Sequence, residues 1–267
     1  MPSSGRVTIL FIGDVMGEPG RETVAKHLPG LRAARDVDIV IANAENAAGG
    51  FGVTPKVADD LLHLGIDVLT SGNHLWDKKE IVPYLRETNV LLRPANYPAG
   101  VPGRGSGVFA ARGGARVAVV NLMGRLFMKD LDCPFRTAER VVESVRAETP
   151  IVLVDFHAEA TSEKQALGAF LDGKVTAVVG THTHVQTADE GVLAGGTAYI
   201  TDVGMTGPHD SIIGVEKGPA VERFLNAMPN RFQVAKGDLR FSAVVVTADA
   251  ASGRALGIER ISMREGR

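Results

Sequence analysis

Short runs of β-branched and aliphatic residues recur along most of this chain, each ending on polar residues and most followed by a helix-like segment. Val7 to Ile12 is the first, an unbroken apolar run that stops at Gly13-Asp14, as a strand buried on both faces does. Ile39 to Ala42, Asp67 to Thr70, Ile151 to Asp155, Val175 to Val179 and Ala198 to Thr201 repeat it. Between them, helical spacing runs over Pro19 to Arg35, where Pro29 predicts a kink or interruption. It returns over Pro55 to Leu64, with Thr54 as N-cap and Pro55 at the first helical position. Lys78 to Arg86, Thr137 to Ala147, Ser162 to Leu171 and Val215 to Asn226 are further helices, Ser162 and Gln165 standing at capping-box spacing. Gly113-Gly114 predicts a hairpin between Gly107 to Arg112 and Arg116 to Asn121, and Leu239 to Ala248 pairs with Ala255 to Met263 near Ser252-Gly253. Strands that alternate with helices first and pair as hairpins later predict an α/β chain with parallel strands and two packed sheets.

A chain of 267 residues is long enough for one large core or two small ones. No repeat or low-complexity tract divides it, and the Gly/Pro-rich stretch from Pro94 to Gly107 reads better as a surface loop than as a linker, so one domain over 1–267 is expected. The formal net charge of -2 supplies no general attraction to nucleic acid or anionic membrane, and no basic run stands out. A single cysteine, Cys133, excludes an internal disulfide and suits a reducing compartment. The start, Met1 to Arg6, has no apolar stretch of secretory length, and no window approaches the roughly 18 apolar residues of a membrane span. A cytoplasmic location is expected.

The polar residues at the strand ends carry the functional signal. Asp14 follows the first strand, Glu45 and Asn46 the second, and Asn73 and His74 the third; His157 follows Val154-Asp155-Phe156, and His182 and His184 follow Val178-Val179-Gly180-Thr181. In an open α/β sheet the carboxyl ends of parallel strands share one edge, where ligands bind. Any one of these residues alone reads as a turn or cap, but five strand ends delivering acids, amides and imidazoles to one edge point to metal ligation. Oxygen and imidazole donors suit Mn, Fe or Zn. About seven donors are too many for one tetrahedral site, which implies two ions, with a carboxylate such as Glu45 able to bridge them. His27 and His63 sit in helical patterns, His209 lies in a loop that could approach the site, and Trp76 reads as pocket wall or core. Asn121 and Arg125 could reach a phosphate or serve structure.

Gly13-Asp14, Gly72-Asn73-His74 and Gly180-Thr181-His182-Thr183-His184 resemble the successive blocks of the calcineurin-like metallophosphoesterases, with His157 at the place of their isolated metal histidine. The strings Ala42 to Ala47, Asp155 to Lys164 and Thr201 to Gly207 are similar to the YmdB-like branch, over nearly the whole chain. Two departures from the wider superfamily stand out: Met16 occupies the place of the histidine that usually stands two residues after the first aspartate, and Glu45-Asn46 replaces its bridging aspartate. The resemblance implies a four-layer αββα sandwich, two facing mixed β-sheets flanked by helices. It implies one metal held by Asp14, Glu45, Asn46 and His184, a second by Glu45, Asn73, His157 and His182, and His74 as the acid that protonates the leaving oxygen. Fe or Mn would be the ions, with Zn compatible, and a phosphodiester the substrate, 2′,3′-cyclic nucleotides such as 2′,3′-cAMP foremost. The alternatives are a phosphomonoesterase, an RNA nuclease, which the net charge disfavours, and a regulatory nucleotide- or partner-binding protein with a metal site. A homo-oligomer is compatible with the sequence.

Overall fold

Successive residues of the apolar runs serve different cores, because side chains of a strand alternate between its two faces. In the computed structural model, which describes residues 5–265, Val7, Ile9 and Phe11 face one core and Leu10 and Ile12 another. The opening residues Met1 to Ser4, part of the basis for expecting no leader, lie outside the described residues. In chain order the elements are β1 (Arg6–Ile12), β2 (Asp14–Val15), α1 (Gly17–Ala34), β3 (Ile39–Asn43), α2 (Pro55–His63), β4 (Val68–Thr70), α3 (Ile81–Glu87), β5 (Ser106–Ala110), β6 (Arg116–Met123) and α4 (Pro134–Arg146). There follow β7 (Val152–His157), α5 (Thr161–Leu171), β8 (Ala177–Thr181), β9 (Gly191–Val192), β10 (Ala198–Ile200), β11 (Met205–Pro208), α6 (Lys217–Asn226), β12 (Leu239–Asp249) and β13 (Ala255–Arg264).

The strands form two mixed sheets. The first runs β2-β11-β12-β1-β3-β4, with β13 on β12; the second runs β5-β6-β7-β8-β10-β9. Val7, Ile9, Phe11, Ile39 and Ile41 of the first sheet meet Val117, Val119, Leu153 and Val179 of the second in an apolar core between them. The opposite faces pack under helices, Val24 and Leu28 of α1 and Leu61 of α2 on the first sheet, Val142 of α4 and Leu167 of α5 on the second. This is the αββα sandwich. A register slip of one residue would turn each strand's two faces over, so the pattern that specifies the layers also specifies which residues reach the strand ends. No helix among the described residues is long and apolar enough to cross a membrane.

Four local expectations need correction. Helix α1 runs through Pro29 without interruption. The Ser162–Gln165 capping box does not form, because α5 starts one residue earlier, with Ala160 as its uncapped N-terminal residue. The segment from Lys78 begins as a bend: a 3₁₀ turn over Leu75–Asp77 precedes α3 at Ile81. Strand β7 extends two residues past the expected end at Asp155, to His157, because the backbone of Phe156 and His157 continues to pair with β6 and β8.

Candidate metal centre

β1, β3 and β4 run parallel in one sheet, as β6, β7 and β8 do in the other, and their carboxyl ends meet between the sheets. All eight site residues expected from the sequence come together there. His157 Nε2 lies 3.0 Å from Glu45 Oε1, 3.1 Å from Asn73 Oδ1 and 3.0 Å from His182 Nδ1. Beside this group, His184 Nε2 lies 3.1 Å from the Asn46 amide and 3.9 Å from Asp14 Oδ1. Glu45 sits between the two groups, its Oε1 3.4 Å from Asn46 Nδ2. Asp14, Glu45, Asn46, His157 and His184 are buried.

His157 and His184 each have one ring nitrogen fixed by a hydrogen bond, which aims the other inward. His157 Nδ1–H donates to Thr181 Oγ1 at 2.9 Å, and that hydroxyl donates to Asp155 Oδ1 at 2.7 Å. His184 Nδ1–H donates to the Ile213 carbonyl at 2.8 Å, and His182 Nε2 lies 3.1 Å from Glu159 Oε2. Metal-binding imidazoles are commonly oriented in this way, the outer partner setting the tautomer. The amide of Asn46 would present Oδ1 rather than Nδ2 to a cation, a rotation that leaves its shape unchanged.

The electrostatics call for positive charge at this point. Asp14 Oδ1 is buried without a hydrogen-bond partner, and burial raises the Asp14 carboxyl above its ordinary range. Burial pulls the His157 imidazole down, but the charge of Glu45, its hydrogen bond and the nearby Asp14 and Asp155 outweigh this and bring it to about 9. For Glu45, burial is opposed by His157 and His74, and the carboxyl falls to about 2. His182 falls to about 3 through burial and the neighbouring His157. An orphaned carboxylate oxygen among hard and borderline donors is an environment that divalent cations fit. Gly72 makes room for the arrangement: a Cβ there would overlap the His157 ring and the Glu45 carboxylate. Gly72→Ala is expected to displace both side chains and lose most bound metal, read by elemental analysis; full stoichiometry would show that the space is dispensable.

His74 differs from the others. Its backbone N–H donates to Glu45 Oε2 at 3.0 Å, while its ring leans on Asp77, Nδ1 lying 2.8 Å from Oδ2. It packs edge-on against Phe51, ring centroids 5.1 Å apart. With Met16, Phe51, Ile213, Val215 and Phe232, it lines a cavity of about 130 Å³ that opens onto Glu45, Asn46, His182 and His184. Phe51 therefore walls the site, and Trp76, half-buried, packs against the core, edge-on to Tyr97. His209 bonds the Gly207 carbonyl and is not among the converging donors. Asn121 is buried, its Oδ1 accepting from Ser71 N at 3.0 Å.

The sequence reading missed the residues that hold the ligands in place. Asp155 is buried and accepts from Thr70 Oγ1 at 2.5 Å and Asn43 Nδ2 at 3.2 Å as well as from Thr181. Its spacing of two from His157 on one strand was the available signal. Lys164 and Asp202 are buried together, Nζ 2.7 Å from Oδ2. Asp202 Oδ2 also accepts from Thr183 N and Thr183 Oγ1 at 3.1 and 2.8 Å, and Oδ1 from Gly204 N at 2.8 Å. Thr183 lies between His182 and His184, which hold positive φ angles of 103° and 65°. Such backbone angles cost a non-glycine residue of order 1–3 kcal/mol and persist only where surrounding structure over-determines them. Nothing in the sequence pairs Lys164 with Asp202.

Residues 10–261 match the family described as YmdB-like protein. The chain is 48% identical over 257 residues to a 2′,3′-cyclic-nucleotide 2′-phosphodiesterase of Bacillus subtilis (strain 168), covering 96% of this chain and 97% of that one. Among solved structures, it resembles a hypothetical protein from Thermus thermophilus with a TM-score of 0.90 and 45% identity, over 97% of this chain and 100% of the other. It also resembles a protein described as a novel phosphatase from Mycoplasma pneumoniae, with a TM-score of 0.91 and 32% identity, over 97% and 94%. The chain belongs to the YmdB-like family.

Proposed function

We propose that this member of the YmdB-like family is a metal-dependent phosphodiesterase that opens 2′,3′-cyclic nucleotides such as 2′,3′-cAMP. The observation that carries the reading is the convergence of Glu45, Asn73, His157 and His182 at about 3 Å, next to Asp14, Asn46 and His184. On this reading Asp14, Glu45, Asn46 and His184 would hold one divalent ion, and Glu45, Asn73, His157 and His182 would hold the other. Bound ions of this kind polarise a phosphoryl oxygen and acidify water toward neutrality. Fe or Mn suits the donor set, and Zn is compatible with it.

The protein's own part is to position groups and to handle a proton. Asp77 holds His74 Nδ1, which leaves Nε2 to face the cavity. From there it gives a proton to the ribose oxygen as the P–O bond breaks, the general-acid role that an imidazole N–H within reach of a leaving oxygen performs. Met16, Phe51, Val215 and Phe232 keep the approach apolar, so water competes less with the substrate. The family membership and the B. subtilis relative support the cyclic-nucleotide substrate, and a cytoplasmic enzyme fits a chain with a single cysteine.

The test is hydrolysis of 2′,3′-cAMP by Mn-loaded protein beside a chelated control. His74→Ala is expected to retain its metals and lose on the order of 10²–10⁴-fold in turnover. Full turnover in the variant would remove His74 from the mechanism, and no turnover in metal-replete wild type would remove the substrate assignment. A phosphomonoesterase would instead favour p-nitrophenyl phosphate over bis-p-nitrophenyl phosphate.

A further inference from the structure

One loop on the rim of the metal centre has a construction that the hydrolysis of a mononucleotide does not require. It leaves β6 at Met123, whose neighbour across the sheet is His157, and Gly124 N donates to the His157 carbonyl at 2.9 Å. It returns past Asn73, where Lys129 Nζ lies 3.5 Å from the backbone oxygen. The loop is held at both ends and in the middle. Buried Asn96 accepts from Met123 N at 2.9 Å and donates to the carbonyls of Met123 and Asp132 at 2.8 and 3.0 Å. The Glu163 carboxylate accepts from Arg125 N at 3.0 Å and from Leu126 N at 3.3 Å. At the tip of this braced loop Phe127 is 92% exposed and holds φ at 61°, in the left-handed region that side chains other than glycine seldom adopt.

A single exposed apolar side chain is ordinary. What sets Phe127 apart is that a loop braced before and after it holds it in left-handed backbone, with exposed Arg125 and Lys129 two positions to either side in the chain. An exposed aromatic ring with a cation two residues to either side along the loop, beside a phosphoester site, offers what a single-stranded nucleic acid recognises: bases stack on the ring and phosphates meet the cations. The site then has two apolar platforms. The Phe51 cavity belongs largely to the loops of the first sheet and the approach to α6, whereas the Phe127 loop belongs to the second. A mononucleotide has one base and fills one of them. The overall charge of -2, which disfavours general nucleic-acid affinity, does not bear on a short strand gripped at one end.

We infer that the Arg125–Lys129 loop binds the penultimate nucleotide of an oligoribonucleotide, so that the substrate class extends to RNA 3′ ends closed as 2′,3′-cyclic phosphates. This rests on the phosphodiesterase reading above and deepens it. Water adds to phosphorus, one P–O bond to the ribose breaks, and the ribose oxygen gains the proton that the water loses. The product is an RNA end bearing an open phosphomonoester.

The experiment compares kcat/KM for 2′,3′-cAMP with that for the diadenosine chain ApA closed by a 2′,3′-cyclic phosphate, using metal-loaded wild type, Phe127→Ala, Phe127→Trp and Lys129→Ala. Alongside it, fluorescence anisotropy reads the binding of 5′-labelled ApA bearing a 3′-phosphate. Wild type is expected to favour the dinucleotide by about tenfold, mostly through KM, as one base–aromatic stack allows. Phe127→Ala should bring that ratio toward one and weaken the labelled dinucleotide by a similar factor, Phe127→Trp should restore both, and Lys129→Ala should flatten the salt dependence. A ratio near one in wild type, or equal losses on both substrates in Phe127→Ala, overturns the inference. If neither substrate turns over while dinucleotide binding still depends on Phe127, the loop assignment stands and the phosphodiesterase reading falls. If binding is indifferent to Phe127 as well, both fall.

Discussion

Lys164→Met is expected to destabilise the protein by about 3–5 kcal/mol, because it removes one partner of a buried ion pair and leaves the other charged and unpaired. In a chain of this size each kcal/mol corresponds to roughly 2–4 °C in Tm, so thermal denaturation would read a fall on the order of 10 °C. The loss should not stop at stability. Asp202 holds Thr183 by its backbone N–H and by its hydroxyl, and Thr183 separates two histidines in left-handed backbone. Without Lys164 to fix Asp202, that turn can relax, and His182 and His184 lose their direction. Orienting partners of this kind are worth roughly 10–100-fold in metal affinity, which calorimetric titration with Mn would measure. The double variant Lys164→Met/Asp202→Asn should regain much of the stability, since no unpaired charge remains and the amide oxygen still accepts from Thr183. A single variant with wild-type Tm and wild-type metal affinity would show that the pair does not hold the turn.

Stripping the metals should lower Tm by a comparable amount. A ligand present at a thousandfold excess over its Kd stabilises by about 4 kcal/mol, again on the order of 10 °C for this chain. Asp14→Asn provides the sharper reading. Asp14 lies fully buried near Glu45 and Asp202, its Oδ1 without a hydrogen-bond partner. With metal present the variant should be the less stable protein, because a ligand charge is lost. In chelator the order should reverse, because a buried, poorly compensated acid is gone. Equal destabilisation in both conditions would mean that Asp14 serves the fold and not the cation.

Most of the donor set was legible in the chain, because a strand that ends on a polar residue reveals where that residue goes. Asp14, Glu45, Asn73 and His182 each follow an apolar run, and parallel strands deliver their carboxyl ends to one edge whatever the loops do. The layering was equally legible: the odd residues of β1 meet the second sheet and the even ones meet the helices, a consequence of period-two alternation. Pro29 misled because a proline forfeits one hydrogen bond in a helix otherwise carried by Val24 and Leu28 against the sheet. Ser162 misled because local capping chemistry competed with a helix that begins one residue earlier.

The residues that work at a distance were hidden. Lys164 and Asp202 lie 38 positions apart, and Asp155 meets Thr70 across 85. Each side chain alone is an ordinary polar residue on a helix, loop or strand, and its meaning depends on which one it faces. The same holds for Phe51 in place of Trp76 as the wall of the cavity, and for Phe127 at the tip of a loop braced by Asn96 and Glu163. Strand order and alternation therefore determined, from sequence alone, that acids, amides and imidazoles would share an edge. Only the packing of two sheets decided which buried charge meets which, since long-range pairing of polar groups leaves no periodic trace along the chain.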